Sequence, residues 1–61
     1  MKNIYGMTLE QLEEYFTSIG YQKFKAIQVF EWLYKKGVQS FEEMTNIKKE
    51  QIELLNKDFN F

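Results

Sequence analysis

The chain contains 61 residues and carries a formal net charge of −1, with no cysteine and no histidine. These absences exclude disulfides, thiolate metal sites and a histidine general base, which leaves carboxylates as the only candidate metal ligands. No apolar run approaches the roughly 20 residues that span a bilayer. We therefore expect one domain over residues 1–61 that is cytoplasmic and monomeric, with no membrane partner.

The first predicted element is a helix that begins after Thr8. Thr8 and Gln11 have the spacing of a capping box, in which each side chain bonds the backbone N–H of the other residue. Apolar side chains then recur at helical spacing, and Gly20 suits the residue that follows a helix end. The predicted core-facing side carries Leu9, Leu12, Tyr15, Phe16 and Ile19.

The second predicted helix runs from about Lys25 to Lys36 and ends before Gly37. At about 100° per residue, one broad apolar face collects Ala26, Ile27, Phe30, Leu33 and Tyr34. The opposite face collects Lys25, Gln28, Trp32, Lys35 and Lys36. The helix is therefore predicted to pack through one side and to present a lysine-rich polar face on the other.

A short helix or single turn is predicted next. Ser40 and Glu43 have the spacing of a second capping box, and Phe41 and Met44 are the expected core contacts. More generally, the aromatic residues Tyr15, Phe16, Phe24, Phe30 and Phe59 are predicted to be core residues.

A last helix is predicted from around Ile47 to Phe59, with Asn46 as a candidate cap. Its buried stripe is expected to contain Ile52, Leu55 and Phe59. No segment alternates apolar and polar residues for long enough to predict a strand. The predicted fold class is all-α, a compact bundle of three to four short helices.

The lysine-rich face is the sharpest candidate functional feature. Lysine ammonium groups neutralise phosphates, the Gln28 amide can bond a base edge or ribose, and Trp32 can stack on an unpaired base. The alternative interpretation assigns no function to this face: it is an ordinary solvated helix face, with Trp32 packed against a neighbouring helix. Charge pattern alone leaves both interpretations open.

Catalysis by this chain is not expected. Glu10, Glu13 and Glu14 form an acidic patch whose spacing indicates an exposed helix flank. Catalytic carboxylate pairs need a pocket that separates their pKa values, and four short helices offer little volume for one. The chain is therefore predicted to act by binding.

Four segments in order resemble one known family: TLEQL at 8–12, KFKAIQV at 23–29, EWLYKK at 31–36 and FEEMTNI at 41–47. The family is the N-terminal domain of the radical S-adenosylmethionine methyltransferases that methylate carbon 2 of adenine in 23S ribosomal RNA and in some transfer RNAs. The resemblance extends from about Ile4 to Phe59. It implies an accessory helical domain excised from a larger methyltransferase.

The resemblance implies RNA recognition together with the enzyme's own catalytic domain, and the expected RNA partners are 23S rRNA and tRNA. By motif position, the RNA-facing residues are Lys23, Lys25, Gln28, Lys35 and Lys36, with Trp32 as a further candidate. Phe24, Ala26, Phe30 and Leu33 are expected to hold that helix in place. The family's 4Fe-4S cluster and S-adenosylmethionine belong to the catalytic domain, so no cofactor is expected on this chain.

Two departures from the family pattern bear on these expectations. Lys25 stands where the family usually has arginine, so the charge is kept but a bidentate phosphate contact is lost. Gln51 and Ile52 stand where the last helix commonly shows leucine and arginine. This difference favours a packing role for the last helix over RNA contact.

Two other functions remain open from the sequence. One is a protein-interaction module with no direct RNA contact, docking on its own catalytic domain or on another protein. The other is a DNA-binding helix-turn-helix, which ranks third because arginine, the commonest guanine reader, is absent.

Overall fold

Three α-helices carry the fold of the computed structural model, which describes residues 2–61. They are α1 (Leu9–Ser18), α2 (Phe24–Tyr34) and α3 (Lys49–Asp58), with 3₁₀ turns at Ile4–Gly6 and Phe41–Glu43. The predicted mainly helical class is confirmed. No helix within residues 2–61 is long and apolar enough to cross a membrane.

A small parallel ladder was not predicted. Strands β1 (Lys2–Asn3) and β2 (Phe59–Asn60) pair with Lys2 opposite Phe59. Two residues per strand leave no room for the alternation on which strand prediction depends. The ladder joins the two ends of the described chain beside α3.

Both predicted ends of α1 are confirmed. The Thr8 hydroxyl oxygen accepts from the Gln11 backbone N–H at 3.1 Å, and the Gln11 side chain accepts from the Thr8 N–H at 2.9 Å. At the other end Gly20 has a φ of +90°. The Tyr21 N–H then donates to the Phe16 carbonyl at 2.9 Å, which satisfies a carbonyl that the helix leaves free.

The core contains buried side chains from all three helices and from both 3₁₀ turns. Its largest fully buried members are Phe16, Phe41, Ile4, Leu12, Leu33, Met44, Leu55 and Val29. The predicted stripe of α3 is confirmed, since Ile52, Leu55 and Phe59 are all buried. Gln51 is also buried, at 3% exposure, so both residues at which the last helix departs from the family pattern are buried.

The predicted rotation of α2 about its own axis is wrong. Ala26, Val29 and Leu33 are buried, whereas Ile27 and Tyr34 are 45% and 51% exposed. The centre of the buried face therefore lies roughly 70° from the predicted one. Apolar residues cover more than half of this helix, so periodicity alone does not determine which arc packs against α1.

Two further predictions of buried residues are wrong. Phe24 was expected to hold α2 in place but is 46% exposed, because it lies outside the arc of Ala26, Val29 and Leu33. Ile19 was placed on the core side of α1 but is exposed, since it is the C-cap residue, where the chain already leaves helical geometry.

Two predicted caps are also corrected. The Ser40 side chain makes no cap hydrogen bond; the Glu43 carboxylate instead accepts from the backbone N–H of Gln39 at 3.0 Å. Helix α3 begins at Lys49 after Lys48, two residues later than predicted, and Lys48 provides no side-chain cap. The Asn46 side chain is engaged elsewhere, with Trp32.

Tyr15 links α1 to the end of α3. Its hydroxyl donates to the Asp58 carboxylate at 2.8 Å, and its ring meets Phe59 edge-on with centroids 4.8 Å apart. Burial raises the pKa of the Tyr15 hydroxyl, and the hydrogen bond to Asp58 raises it further. The neutral hydroxyl is therefore the form that the folded chain favours.

Replacing Gly20 tests the glycine requirement at the end of α1. An added Cβ meets no atom within 4 Å, so the effect of Gly20→Ala comes from the positive φ alone. We expect the free energy of unfolding to fall by about 1–2 kcal/mol, measured by urea denaturation. Gly6→Ala is the matched control, because Gly6 has equal space and no positive φ; an equal loss in both variants would contradict this reasoning.

The raised pKa of Tyr15 predicts a specific alkaline destabilisation. An unfolded tyrosine releases its proton near pH 10, whereas folded Tyr15 keeps it, so this stabilisation is complete below about pH 10 and is lost as the pH rises further. Tyr15→Phe should make the loss of unfolding free energy above that pH shallower, as followed by urea denaturation at several pH values. Tyr34→Phe is the control, and identical slopes in wild type and Tyr15→Phe would refute the assignment.

Candidate nucleic-acid interface

A cleft of about 200 Å³ opens beside the C-terminal half of α2. Its lining residues are Gln28, Glu31, Trp32, Lys35, Lys36 and Asn46. Gln28, Glu31 and Trp32 come from α2, Lys35 and Lys36 directly follow its last residue, and Asn46 comes from the loop before α3. Four of the six residues predicted to contact RNA therefore surround one cavity.

Trp32 is both a packing residue, as the alternative interpretation expected, and a residue of the cleft, as the functional interpretation expected. Its ring is half-buried and packs against the core, while part of it lines the cleft. The indole N–H donates to the Asn46 side-chain oxygen at 2.6 Å. Because the indole N–H is already used in this hydrogen bond, Trp32 could contact a ligand only through the surface of its ring.

Gln28 lines the cleft and also carries a buried polar atom. Its side-chain oxygen Oε1 is buried and has no hydrogen-bond partner among the described residues. Because Oε1 is buried, a ligand in the cleft could bond to it only after the Gln28 side chain moved. This property distinguishes Gln28 from a glutamine on a solvated helix face.

The two lysines of the cleft differ in their ionic partners. The Lys35 ammonium lies 3.4 Å from a carboxylate oxygen of Glu31, and both side chains are largely exposed. Neither ion pair within residues 2–61 involves Lys36. Because an exposed pair of this kind is weak, both ammonium groups can reach an incoming anion.

Lys25 and Lys23 lie outside the cleft. Lys25 is near the start of α2, about 15 Å along the axis from Lys35, and its ammonium sits 5.3 Å from the Phe24 ring centroid. Lys23 turns toward α1, where its ammonium is 3.9 Å from a Glu13 oxygen. Lys23 therefore belongs to an acidic groove with Glu10, Glu13, Glu14 and Thr17.

Asn46 is the residue that sequence reasoning missed. Its position before a predicted helix favoured a capping role, and nothing in the local sequence pattern links it to Trp32, 14 residues earlier. The contact depends on how the loop returns over α2, which is a property of the tertiary fold.

A larger open groove of about 580 Å³ is lined by Lys2, Met7, Gln11, Glu14, Tyr15, Ser18, Asp58 and Phe59. The Tyr15 hydroxyl in this groove donates a hydrogen bond to the Asp58 carboxylate. Residues 2–61 contain no cluster of three histidine, cysteine or acidic residues that could hold a metal ion. With no cysteine in the chain, its residues do not fit the thiolate ligation of an iron–sulfur cluster.

Comparison with known proteins identifies the relatives of this chain. Residues 2–60 match the family described as "Ribosomal RNA large subunit methyltransferase N-terminal domain". A protein named "Probable dual-specificity RNA methyltransferase RlmN" from Exiguobacterium sibiricum is 49% identical over 93% of this chain, and its namesake from Streptococcus thermophilus is 53% identical over 93%. The chain spans only 16% and 15% of the lengths of these two relatives.

A solved structure agrees with the sequence comparison. The crystal structure of a radical SAM methyltransferase from Sphaerobacter thermophilus superimposes with a TM-score of 0.91 and 27% identity, covering 97% of this chain and 17% of the other. The family match covers nearly every residue, and the fold agrees with it. The chain therefore belongs to the family of ribosomal RNA large subunit methyltransferase N-terminal domains.

Proposed function

We propose that this chain is the RNA-recognition domain of a radical SAM RNA methyltransferase, and that the cleft face of α2 contacts the RNA. The observation that carries the proposal is the convergence of Gln28, Trp32, Lys35 and Lys36 on one cavity. The relatives' name as RNA methyltransferases supports RNA as the partner.

The proposed reaction of the whole protein is methylation of carbon 2 of adenine in 23S rRNA and tRNA. The 4Fe-4S cluster and S-adenosylmethionine that this chemistry uses would be bound outside this chain, since the chain has no cysteine to ligate the cluster. The part played by residues 2–61 is to bind and orient the RNA, as a monomer within the cytoplasmic enzyme.

The charges of α2 suit phosphate contacts along a folded RNA. Lys25 near its start and Lys35 and Lys36 near its end are separated by roughly 15 Å along the helix axis. Folded RNA is recognised largely through its shape and its phosphates. Lysines at the two ends of this helix can therefore contact phosphates at separate positions along the RNA without reading its sequence.

A second candidate function is docking of this domain on the rest of the methyltransferase. Phe24, Ile27 and Tyr34 form an exposed apolar strip along α2, and Tyr34 contacts the exposed Tyr5 ring with centroids 5.6 Å apart. Contiguous exposed apolar surface marks interaction sites. The chain spans 16% of the length of the Exiguobacterium sibiricum relative. We therefore propose that the strip packs against the part of the methyltransferase that lies outside this chain.

Charge reversal of the cleft lysines tests RNA recognition. We expect K35E/K36E to weaken binding of a transfer RNA by more than about tenfold at 0.1 M salt, because two phosphate contacts are lost. The slope of log affinity against log salt should become shallower by about 1.5. Fluorescence anisotropy of labelled RNA measures both quantities.

The matched control is K2E/K57E, which changes the net charge from −1 to −5 as K35E/K36E does. Lys2 and Lys57 lie at the ladder end of the molecule, and neither lines the cleft. Equal loss of affinity in the two variants would mean that only net charge matters, and the proposed face would be wrong. Circular dichroism checks that both variants remain helical.

A further inference from the structure

The two cleft lysines lie on a turn that begins where α2 ends. Lys35 and Lys36 directly follow Tyr34, the last residue of the helix, and Gly37 then takes a φ of +65° as the chain leaves the helix. Both lysines and Gly37 are exposed, so none of the three anchors the turn by burying a side chain. Exposed segments with few buried contacts are the parts of a domain that open most easily. The direction in which both lysines project therefore depends on what fixes the backbone of the turn.

The Tyr5 hydroxyl bridges the two sides of this turn. Its oxygen lies 3.0 Å from the Leu33 carbonyl oxygen and 2.6 Å from the Val38 carbonyl oxygen, and its single proton is shared between these two acceptors. Leu33 lies two residues before the lysine pair, and Val38 lies two residues after it. Carbonyls in the last turn of a helix lack an intrahelical donor, and Tyr5 supplies one. Tyr5 therefore joins the end of α2 to the chain beyond the lysines.

Tyr5 has partners of its own that make it a fixed point. Its backbone N–H donates to the Asn3 side-chain oxygen at 2.9 Å, and its carbonyl accepts from the Tyr34 hydroxyl at 2.8 Å. Its ring meets the rings of Tyr34 and Phe61 edge-on, with centroids 5.6 and 5.8 Å away. The preceding residue, Ile4, is fully buried. The bridge to the turn thus starts from a residue whose backbone and ring are both held.

We propose that Tyr5 is a positioning residue for RNA contact, whose hydroxyl holds the turn in the conformation that presents Lys35 and Lys36 to phosphates. This role rests on the proposed RNA-contacting face and adds to it a residue that does not touch RNA. Val38 supports the turn from its far side, since its side chain is buried and its N–H donates to the Trp32 carbonyl at 3.3 Å. A turn that is ordered before binding loses less conformational entropy when its lysines meet the RNA.

Tyr5→Phe removes the hydroxyl and keeps the ring. We expect it to weaken binding of a transfer RNA about threefold at 0.1 M salt, because only part of the population then presents both lysines. The slope of log affinity against log salt should stay unchanged, since the bound state still contains both phosphate contacts. Fluorescence anisotropy measures both quantities, and urea denaturation checks that the variant is folded under the assay conditions.

The matched control is Tyr15→Phe. It removes a tyrosine hydroxyl that donates at 2.8 Å, but to Asp58 rather than to the turn, so RNA affinity should stay at the wild-type value. An equal loss of affinity in Tyr5→Phe and Tyr15→Phe would mean that any lost tyrosine hydrogen bond weakens RNA binding, which would contradict a specific role for Tyr5.

The same substitution in a K35A/K36A background separates positioning from general stability. If Tyr5 acts through the lysines, Tyr5→Phe has no further effect on RNA affinity once both are neutral. A threefold loss that persists in that background would overturn the positioning role, because Tyr5 would then act by another route. Unchanged affinity of the single variant Tyr5→Phe would overturn it as well, while a loss in K35E/K36E would keep the proposed RNA-contacting face.

A measurement on the wild type does not depend on the folding of any variant. NMR relaxation of the backbone amides should give residues 35–38 order parameters close to those of a rigid helix, about 0.85. Values below about 0.6 would show a mobile turn and refute the positioning role even if RNA binds. No binding of transfer RNA by the wild type at low salt would overturn both this role and the proposed function.

Discussion

The packing of α2 against α1 is the constraint on which the rest of this structure depends. Ala26, Val29 and Leu33 of α2 are buried in the core, where α2 neighbours α1, and the Tyr5 hydroxyl donates to the Val38 carbonyl at 2.6 Å just beyond the helix end. Together these contacts set the rotation of α2. Every other side chain of the helix takes its direction from that rotation.

Three surfaces result from one helix of 11 residues. The core arc is buried, a polar arc containing Gln28 and Trp32 borders the cleft, and an apolar arc containing Ile27 is exposed. Lys35 and Lys36, just past the end of the helix, complete the cleft. This division makes the two proposed roles compatible, because the proposed RNA contact and the proposed docking would use different sides of α2. Salt separates them, since phosphate contacts weaken with added salt and apolar contacts do not.

Local signals predicted the parts of the fold that depend on neighbours in sequence. The Thr8 capping box, the glycine after α1 and the buried side of α3 were all correct. The rotation of α2 was not, because Ile27 and Tyr34 are as apolar as the residues that are buried, and only the shape of α1 selects among them. The role of Asn46 likewise depends on a loop contact across 14 residues. Four of the six candidate site residues were nevertheless brought together, since the polar arc of α2 contains few alternatives.

The most direct test of this account is a map of backbone amide chemical shifts during titration with transfer RNA, at low and at physiological ionic strength. The account predicts shifts concentrated on residues 28–36 and on Asn46, which fade as salt is added because lysine–phosphate contacts carry the affinity. Shifts concentrated outside residues 28–36 and Asn46 would contradict the proposed face and place RNA contact elsewhere on the domain. No shifts at low salt would leave the domain as a docking element, with RNA recognition located elsewhere in the methyltransferase.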